Sequence, residues 1–191
     1  MGKRVGIFGG SFDPVHNGHI HIVKSFLSSG LLDEILVLLT PDPPHKDLHA
    51  QAEFEDRFNM LELAFSGMDN VRISDLETRL PKPSYTLQTV EYLQQKNPEN
   101  TWYLCMGEDS LATFHTWHRY RDILNKVTLL AAERPGFSHP ETAPEVLEKT
   151  IIVKHTPVKI SSSDIRLKGR NDSLPSLPEP VAAYIRQHQL Y

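Results

Sequence analysis

Short apolar runs alternate along the chain with apolar stripes at helical spacing. Arg4–Phe8, Glu34–Leu39, Val71–Ser74, Thr101–Met106, Val127–Ala132 and Ile151–Lys154 have the length and composition of strands. Between the first two, Ile20, Val23, Phe26 and Leu27 share one helical face; this helix is expected to begin near Asn17 and to stop at Gly30. Phe54, Phe58, Leu61 and Phe65 make a second stripe, and Leu87, Val90 and Leu93 a third, both read as core packing. Strand and helix in alternation predict an α/β chain with a doubly wound parallel sheet, covered on both faces. Beyond the last strand, two helical segments over Ser162–Lys168 and Pro180–His188, joined by a polar linker Lys168–Ser173, predict a small helical part. The 191 residues suit a single domain, 1–191, made of an α/β core to residue 160 and this appendage from 161 to 191.

Three loops interrupt the pattern. Residues 40–46 follow the second strand, residues 81–86 precede a helix, and residues 133–145 are rich in proline and acid. Ligands in open parallel sheets bind beyond the carboxyl ends of the strands, so the first two loops are expected to build a substrate pocket and the third to be a surface excursion.

Composition narrows the function classes. A hydrophobic fraction of 39% supports a core, while a net charge of −4 and a pI near 6.2 argue against a mainly electrostatic nucleic-acid binder. Basic side chains therefore matter as local contacts. Cys105 is the only cysteine, which excludes an intramolecular disulfide framework and fits a reducing cytoplasm. Its apolar neighbours make it a small buried residue rather than a nucleophile. The apolar run after Met1-Gly2-Lys3-Arg4 is too short for a signal peptide, Gly6 stands where myristoylation needs Ser or Thr, and no segment reaches membrane-spanning length.

The candidate chemistry lies directly after the first strand, in Gly9-Gly10-Ser11-Phe12-Asp13-Pro14-Val15-His16-Asn17-Gly18-His19. Glycines there would let the backbone turn and a phosphate approach its N–H groups, and the following helix would aim its positive end at the same place. His16 and His19, three apart, would donate hydrogen bonds to phosphate oxygens from that helix start. Glycines after a first strand are also ordinary turns. A metal reading of the histidines lacks an evident thiolate or carboxylate to complete a set. A dinucleotide-binding oxidoreductase shares the strand, glycine turn and helix, but Gly6-x-x-Gly9-Gly10 is not G-x-G-x-x-G, and Asp33 and Glu34 open the second strand instead of closing it. Far downstream, Ile160-Ser161-Ser162-Ser163-Asp164-Ile165-Arg166 reads as a second helix start, offering hydroxyls, N–H groups and Arg166 to an anion, although serine runs also serve as plain caps.

The first segment resembles the signature of the nucleotidyltransferase superfamily that carries His-x-Gly-His. The second is similar to that superfamily's Ile-Ser-Ser-Thr-x-Ile-Arg motif, with Ser163 in place of Thr. Pro44-His45-Lys46, Pro83-Ser84-Tyr85-Thr86, Gly107-Glu108-Asp109-Ser110-Leu111 and Trp117 narrow the resemblance to the bacterial nicotinate-nucleotide adenylyltransferase family, over almost the whole chain. Glu108 replaces the family's usual Ala, and His118 its usual Tyr. The resemblance implies a Rossmann-like sheet and adenylyl transfer from ATP to nicotinate mononucleotide, by in-line attack without a covalent intermediate. It implies that ATP is held by Gly9, Gly10, Ser11, Phe12, His16, Gly18, His19, Gly107, Asp109, Ile160, Ser161, Ser162, Ser163 and Arg166. The mononucleotide would be held by Ser11, His45, Lys46, Ser84, Tyr85, Thr86, Trp117, His118 and Arg134.

In that scheme His16, His19, Lys46 and Arg166 stabilise charge, and Mg2+ enters with ATP, held mainly by phosphates and water. Trp117 is expected to stack on the pyridine ring, and helix-start N–H groups near Thr86 and His118 to hold its carboxylate. Asp109 reads either as a ribose acceptor or as a helix cap. The expected partners are these small molecules, with no nucleic acid and no membrane, in a monomer or homodimer. Nicotinamide mononucleotide or phosphopantetheine remains open as the acceptor, as does a non-catalytic nucleotide sensor.

Overall fold

The computed structural model describes residues 2–41, 52–133, 142–156, 158–172 and 176–191. In chain order the elements are β1 (Arg4–Gly10), α1 (Asn17–Ser28), β2 (Glu34–Leu39), α2 (Phe54–Phe65), β3 (Val71–Ser74), a 3-10 turn (Leu76–Arg79), α3 (Thr86–Lys96), β4 (Thr101–Gly107), α4 (Glu108–Ala112), a second 3-10 turn (Phe114–Thr116), α5 (Tyr120–Leu124), β5 (Thr128–Ala132), α6 (Pro144–Leu147), β6 (Thr150–Val153), α7 (Ser162–Asp172) and α8 (Glu179–His188). The six strands form one sheet in the order β3-β2-β1-β4-β5-β6, and every pairing is parallel. The order reverses between β1 and β4, so the crevice beyond their carboxyl ends is the place where such sheets bind ligands.

Strand alternation divides the apolar side chains into two cores. Phe8, Ile35, Val37, Leu39, Cys105 and Leu130 face one layer, which α1, α2 and α8 cover with Val23 and Phe26, Met60 and Leu61, and Val181 and Ile185. Val5, Ile7, Leu36, Leu38, Leu104 and Leu129 face the other, covered by Leu87 and Val90 of α3, Leu111 of α4, Phe114 of the second 3-10 turn and Ile123 of α5. Ile165 of α7 joins the first core, so the carboxyl-terminal helices pack on the layer that holds α1.

Several expected boundaries shift. The strand β1 runs on through Gly9 and Gly10, which pair with Leu38 and Leu39, so the two glycines do not make the turn. The positive φ falls instead on Phe12, at 44°. Residues 168–172, expected to be a linker, continue α7, because its backbone ladder outweighs the propensity cost of Gly169. The short helices α4, α5 and α6 and both 3-10 turns carry too few residues for a periodic stripe; α4 and α5 stand close to the helix starts expected near Asp109 and His118. Among the described residues, no helix is long and apolar enough to cross a membrane.

Candidate active site

At the end of β1 the backbone must turn without glycine. Phe12 adopts the left-handed region and buries its ring against Phe8, with centroids 5.7 Å apart, and edge-on against His19 at 5.0 Å. Gly10 makes room for this ring: a Cβ there would come within 2.9 Å of it. Gly9 and Gly107, at the ends of neighbouring strands, differ from Gly10; a Cβ on either would meet nothing within 4 Å. Together they leave the crevice floor as bare backbone.

The helix α1 opens at His16, which caps it in an extended conformation and gives its carbonyl to the His19 N–H at 2.9 Å. The His16 backbone N–H donates to His19 Nδ1 at 3.2 Å, which leaves the proton of a neutral His19 ring on Nε2. The two imidazoles stack with centroids 3.7 Å apart. Burial pushes the His16 pKa down to about 4, so this ring is neutral at ordinary pH. Gly18 is needed here as well, since its Cβ would sit 3.0 Å from the His16 ring. The neutral His16 ring tolerates this contact where an imidazolium would be less at ease.

The second motif joins the first through hydrogen bonds. Ser162 Oγ donates to the Pro14 carbonyl at 3.0 Å, and Arg166 Nη1 to the Asp13 carbonyl at 2.7 Å, while Arg166 Nη2 reaches Ser163 Oγ at 3.3 Å. Ser161 caps α7, accepting the Asp164 N–H at 3.0 Å and donating to Asp164 Oδ2 at 2.7 Å. The Ile160 carbonyl lies 3.9 Å from the position of a Gly18 Cβ. Two helix starts thus flank one loop, and the hydroxyls of Ser161 and Ser162 serve the protein's own backbone and side chains.

A cleft of about 310 Å3 opens at the sheet's reversal point, bounded by Gly9, Ser11, Tyr85, Thr86, Gly107 and Trp117. Trp117 leans on Phe114 with centroids 5.1 Å apart, and His118 stacks on Tyr85 at 4.1 Å. The imidazole at position 118 therefore supplies the flat surface expected of the usual tyrosine. Tyr85 precedes α3 as an extended cap, its N–H donating to Gln88 Oε1 at 3.2 Å. Ser84 is buried and donates to the Glu77 carbonyl at 3.1 Å, so its hydroxyl positions the segment. Asp109 is not the cap of α4; Gly107 is, because the bare backbone at the strand end already has the extended conformation a cap needs. Asp109 stands exposed, and Ser110 lines the cleft in its stead. His45, Lys46 and Arg134 lie outside the described residues.

Three contributors had no local signal. The Arg57 guanidinium, 2% exposed, donates to the carbonyls of Ser11 at 2.9 Å, Thr40 at 3.1 Å, Pro41 at 3.1 Å and Ala52 at 3.2 Å, tying the signature loop to both ends of the 42–51 segment. Glu77, also buried and with its pKa raised by burial, accepts from Thr89 Oγ1 at 3.1 Å and braces the Ser84 segment against α3. Tyr191 donates to Asp13 Oδ1 at 2.6 Å. At the opposite end of the sheet, Asp33 pairs with Arg4, whose guanidinium holds its carboxyl down to about 2, and Glu34 pairs with Lys3 and Arg72. Neither acid approaches the cleft, which removes the dinucleotide ribose anchor from consideration.

The family model described as Cytidylyltransferase-like matches residues 7–168. A protein of Neisseria meningitidis named "Probable nicotinate-nucleotide adenylyltransferase" is 35% identical, with 99% of this chain and 98% of the relative covered. One of the same name from Thermotoga maritima is 39% identical over 88% of this chain and 83% of the relative. The solved structure of Plasmodium falciparum nicotinic acid mononucleotide adenylyltransferase complexed with NaAD superposes with a TM-score of 0.82 at 22% identity, covering 99% of this chain and 97% of that one. The stacked histidines, the α7 start bonded to their loop and this likeness over its full length agree: the chain belongs to the cytidylyltransferase-like family and, within it, to the nicotinate-nucleotide adenylyltransferases.

Proposed function

We propose that this site transfers the adenylyl group of ATP to the 5'-phosphate of nicotinate mononucleotide, releasing pyrophosphate and forming nicotinate adenine dinucleotide. The observation that carries the reading is the attachment of two helix starts to one loop, by Ser162 to Pro14 and Arg166 to Asp13, beside a cleft walled by Trp117 and the Tyr85–His118 stack. A triphosphate fits between two such helix ends, and an aromatic acid fits the cleft.

The mononucleotide phosphate oxygen attacks the α-phosphorus in line. Charge accumulates on the non-bridging oxygens, and His19 donates to them from Nε2, the nitrogen left protonated by the His16 N–H bond. The neighbouring His16 ring, neutral and stacked beneath, keeps that imidazole in place and supplies a second donor. Arg166 and the α7 N–H groups stabilise the departing pyrophosphate, and Lys46 the attacking phosphate. Trp117 and Tyr85 sandwich or flank the pyridine, whose carboxylate meets the N–H groups at the start of α3. Mg2+ would supply charge neutralisation on the phosphates of ATP. Among the described residues there is no cluster of three His, Cys, Asp or Glu side chains that could hold a metal ion.

The deciding assay is pyrophosphate release with ATP and Mg2+, comparing nicotinate mononucleotide, nicotinamide mononucleotide and phosphopantetheine. Turnover is expected with the first. Activity confined to phosphopantetheine would overturn the acceptor, and none with any of the three would favour a nucleotide sensor. His19→Ala should lower kcat by about two to four orders of magnitude with folding retained. Near-normal turnover would remove His19 from the mechanism.

A further inference from the structure

Asp13 is 4% exposed and lies within the signature loop, yet it reaches no part of the cleft; its partners come from three distant segments. Its carbonyl accepts Arg166 Nη1 at 2.7 Å, and its Oδ2 lies 3.9 Å from the same nitrogen. Its Oδ1 accepts the Ala52 N–H at 3.2 Å, where the chain returns from residues 42–51, and the Tyr191 hydroxyl at 2.6 Å. One peptide unit and its carboxylate thus collect a guanidinium, a backbone amide and a phenol.

The phenol bond is the shortest of these and the most remote in sequence, spanning 178 positions. Burial and the adjacent Asp13 push the Tyr191 pKa up, so its O–H remains a donor across the working pH range. A charge-assisted O–H···O− bond of this length restricts the carboxylate sharply. Residue 191 has a φ of 64°, a left-handed conformation that a non-glycine residue holds only when its surroundings compensate. The last turn of α8 sets its approach: the Leu190 N–H donates to the Ile185 carbonyl at 3.1 Å, and Ile185 is buried in the core that also contains Ile165 of α7.

We propose that Tyr191 is a positioning residue for the triphosphate clamp, acting through Asp13 to fix the guanidinium of Arg166. The inference rests on the reading of Arg166 as a phosphate ligand. Without the phenol, Asp13 keeps one fewer donor, and its carboxylate can turn toward Arg166, tightening their 3.9 Å ion pair and drawing the guanidinium from its backbone perch into a contact that competes with phosphate. Tyr191 touches no substrate; its effect appears only in how well Arg166 is aimed.

The test is calorimetric titration of the full chain with ATP and Mg2+, which requires no choice of acceptor. Tyr191→Phe is expected to raise the Kd for ATP about five- to tenfold. Tyr184→Phe on α8, which breaks bonds to Asp56 Oδ1 at 2.9 Å and Asn59 Nδ2 at 3.0 Å away from the loop, should leave it unchanged. In a double-mutant cycle, Tyr191→Phe added to Arg166→Lys should weaken binding by less than twofold beyond Arg166→Lys alone, because both act on one contact. Thermal midpoints are read in parallel, and a lowered midpoint with unchanged Kd overturns the proposal as a purely structural effect. Multiplicative losses in the cycle overturn it too. Wild-type ATP affinity in Arg166→Lys would remove the underlying reading of Arg166, whereas wild-type affinity in Tyr191→Phe beside a weakened Arg166→Lys would remove this inference alone.

Discussion

His16 contributes to stability as well as to chemistry, and the sign of its effect is fixed by burial. Its folded-state pKa of about 4 lies below the ordinary value of 6.5, so the unfolded chain binds the extra proton between these limits. The stabilisation is complete above pH 6.5 and is lost as pH falls toward 4, by roughly 3 kcal/mol in all. Urea midpoints at pH 7.5 and pH 5 should diverge more in the wild type than in His16→Gln, and equal divergence would contradict the burial argument. Gly10→Ala tests the neighbouring contact. Its methyl would press on the Phe12 ring at 2.9 Å, and that ring is what holds His19 edge-on. Overpacking of this kind costs about 1–3 kcal/mol, and kcat should fall with it; Gly9→Ala, with open space at its Cβ, should keep the stability. The histidines and glycines were legible in the sequence as a motif, but the task of the glycines was not. Turn chemistry suggested a sharp bend, whereas the sheet ladder carried both residues onward and left the bend to Phe12. Of the two readings of Asp109, the helix cap fails for a related reason, since a backbone already extended at Gly107 needs no side-chain cap.

Among the elements, α2 and α7 do more than their stripes foretold. Helix α2 reads as amphipathic packing, yet from its first turn Arg57 satisfies carbonyls of Ser11, Thr40, Pro41 and Ala52. Replacement by Leu would leave buried acceptors unpaired, at about 1–3 kcal/mol for each one that water cannot reach. Arg57→Leu should therefore lower the denaturation midpoint and also raise the KM for the acceptor, because Pro41 and Ala52 flank in sequence the segment that contains Lys46; a stability loss without a KM change would separate the two roles. No local pattern announces such a residue, because its four partners are defined only once β1, β2 and α2 have met. The six strands and the three striped helices were legible for the converse reason: each buries an apolar face whose period is written in consecutive residues. Elements of three to five residues, such as α4 and α5, complete no period and take their conformation from the cores beneath them.

For the molecule as a whole, Cys105 offers a direct gauge of cooperativity. It is buried in β4, between β1 and β5, and desolvation alone pushes its thiol pKa up. Alkylation by an aqueous thiol reagent should therefore be negligible in the native state and proceed only through global opening, at a rate that follows denaturant. Rapid labelling without denaturant would show that the sheet opens at its centre. The crevice sits where the two layers part. The elements proposed to hold phosphate, α1, α7 and the network around Asp13, are backed by the core containing Phe12, Val15 and Ile165. The aromatic wall of the cleft, Phe114 and Trp117, is backed by the other, while Phe8 and Cys105 of the first core also line the cleft. On the proposed reading, the sheet lies between the helices that hold the triphosphate and the aromatic wall that meets the acceptor. Heritable change in the aromatic wall can then accumulate with α1 and α7 undisturbed, so a scaffold of this form is free to keep its chemistry while exchanging its customers.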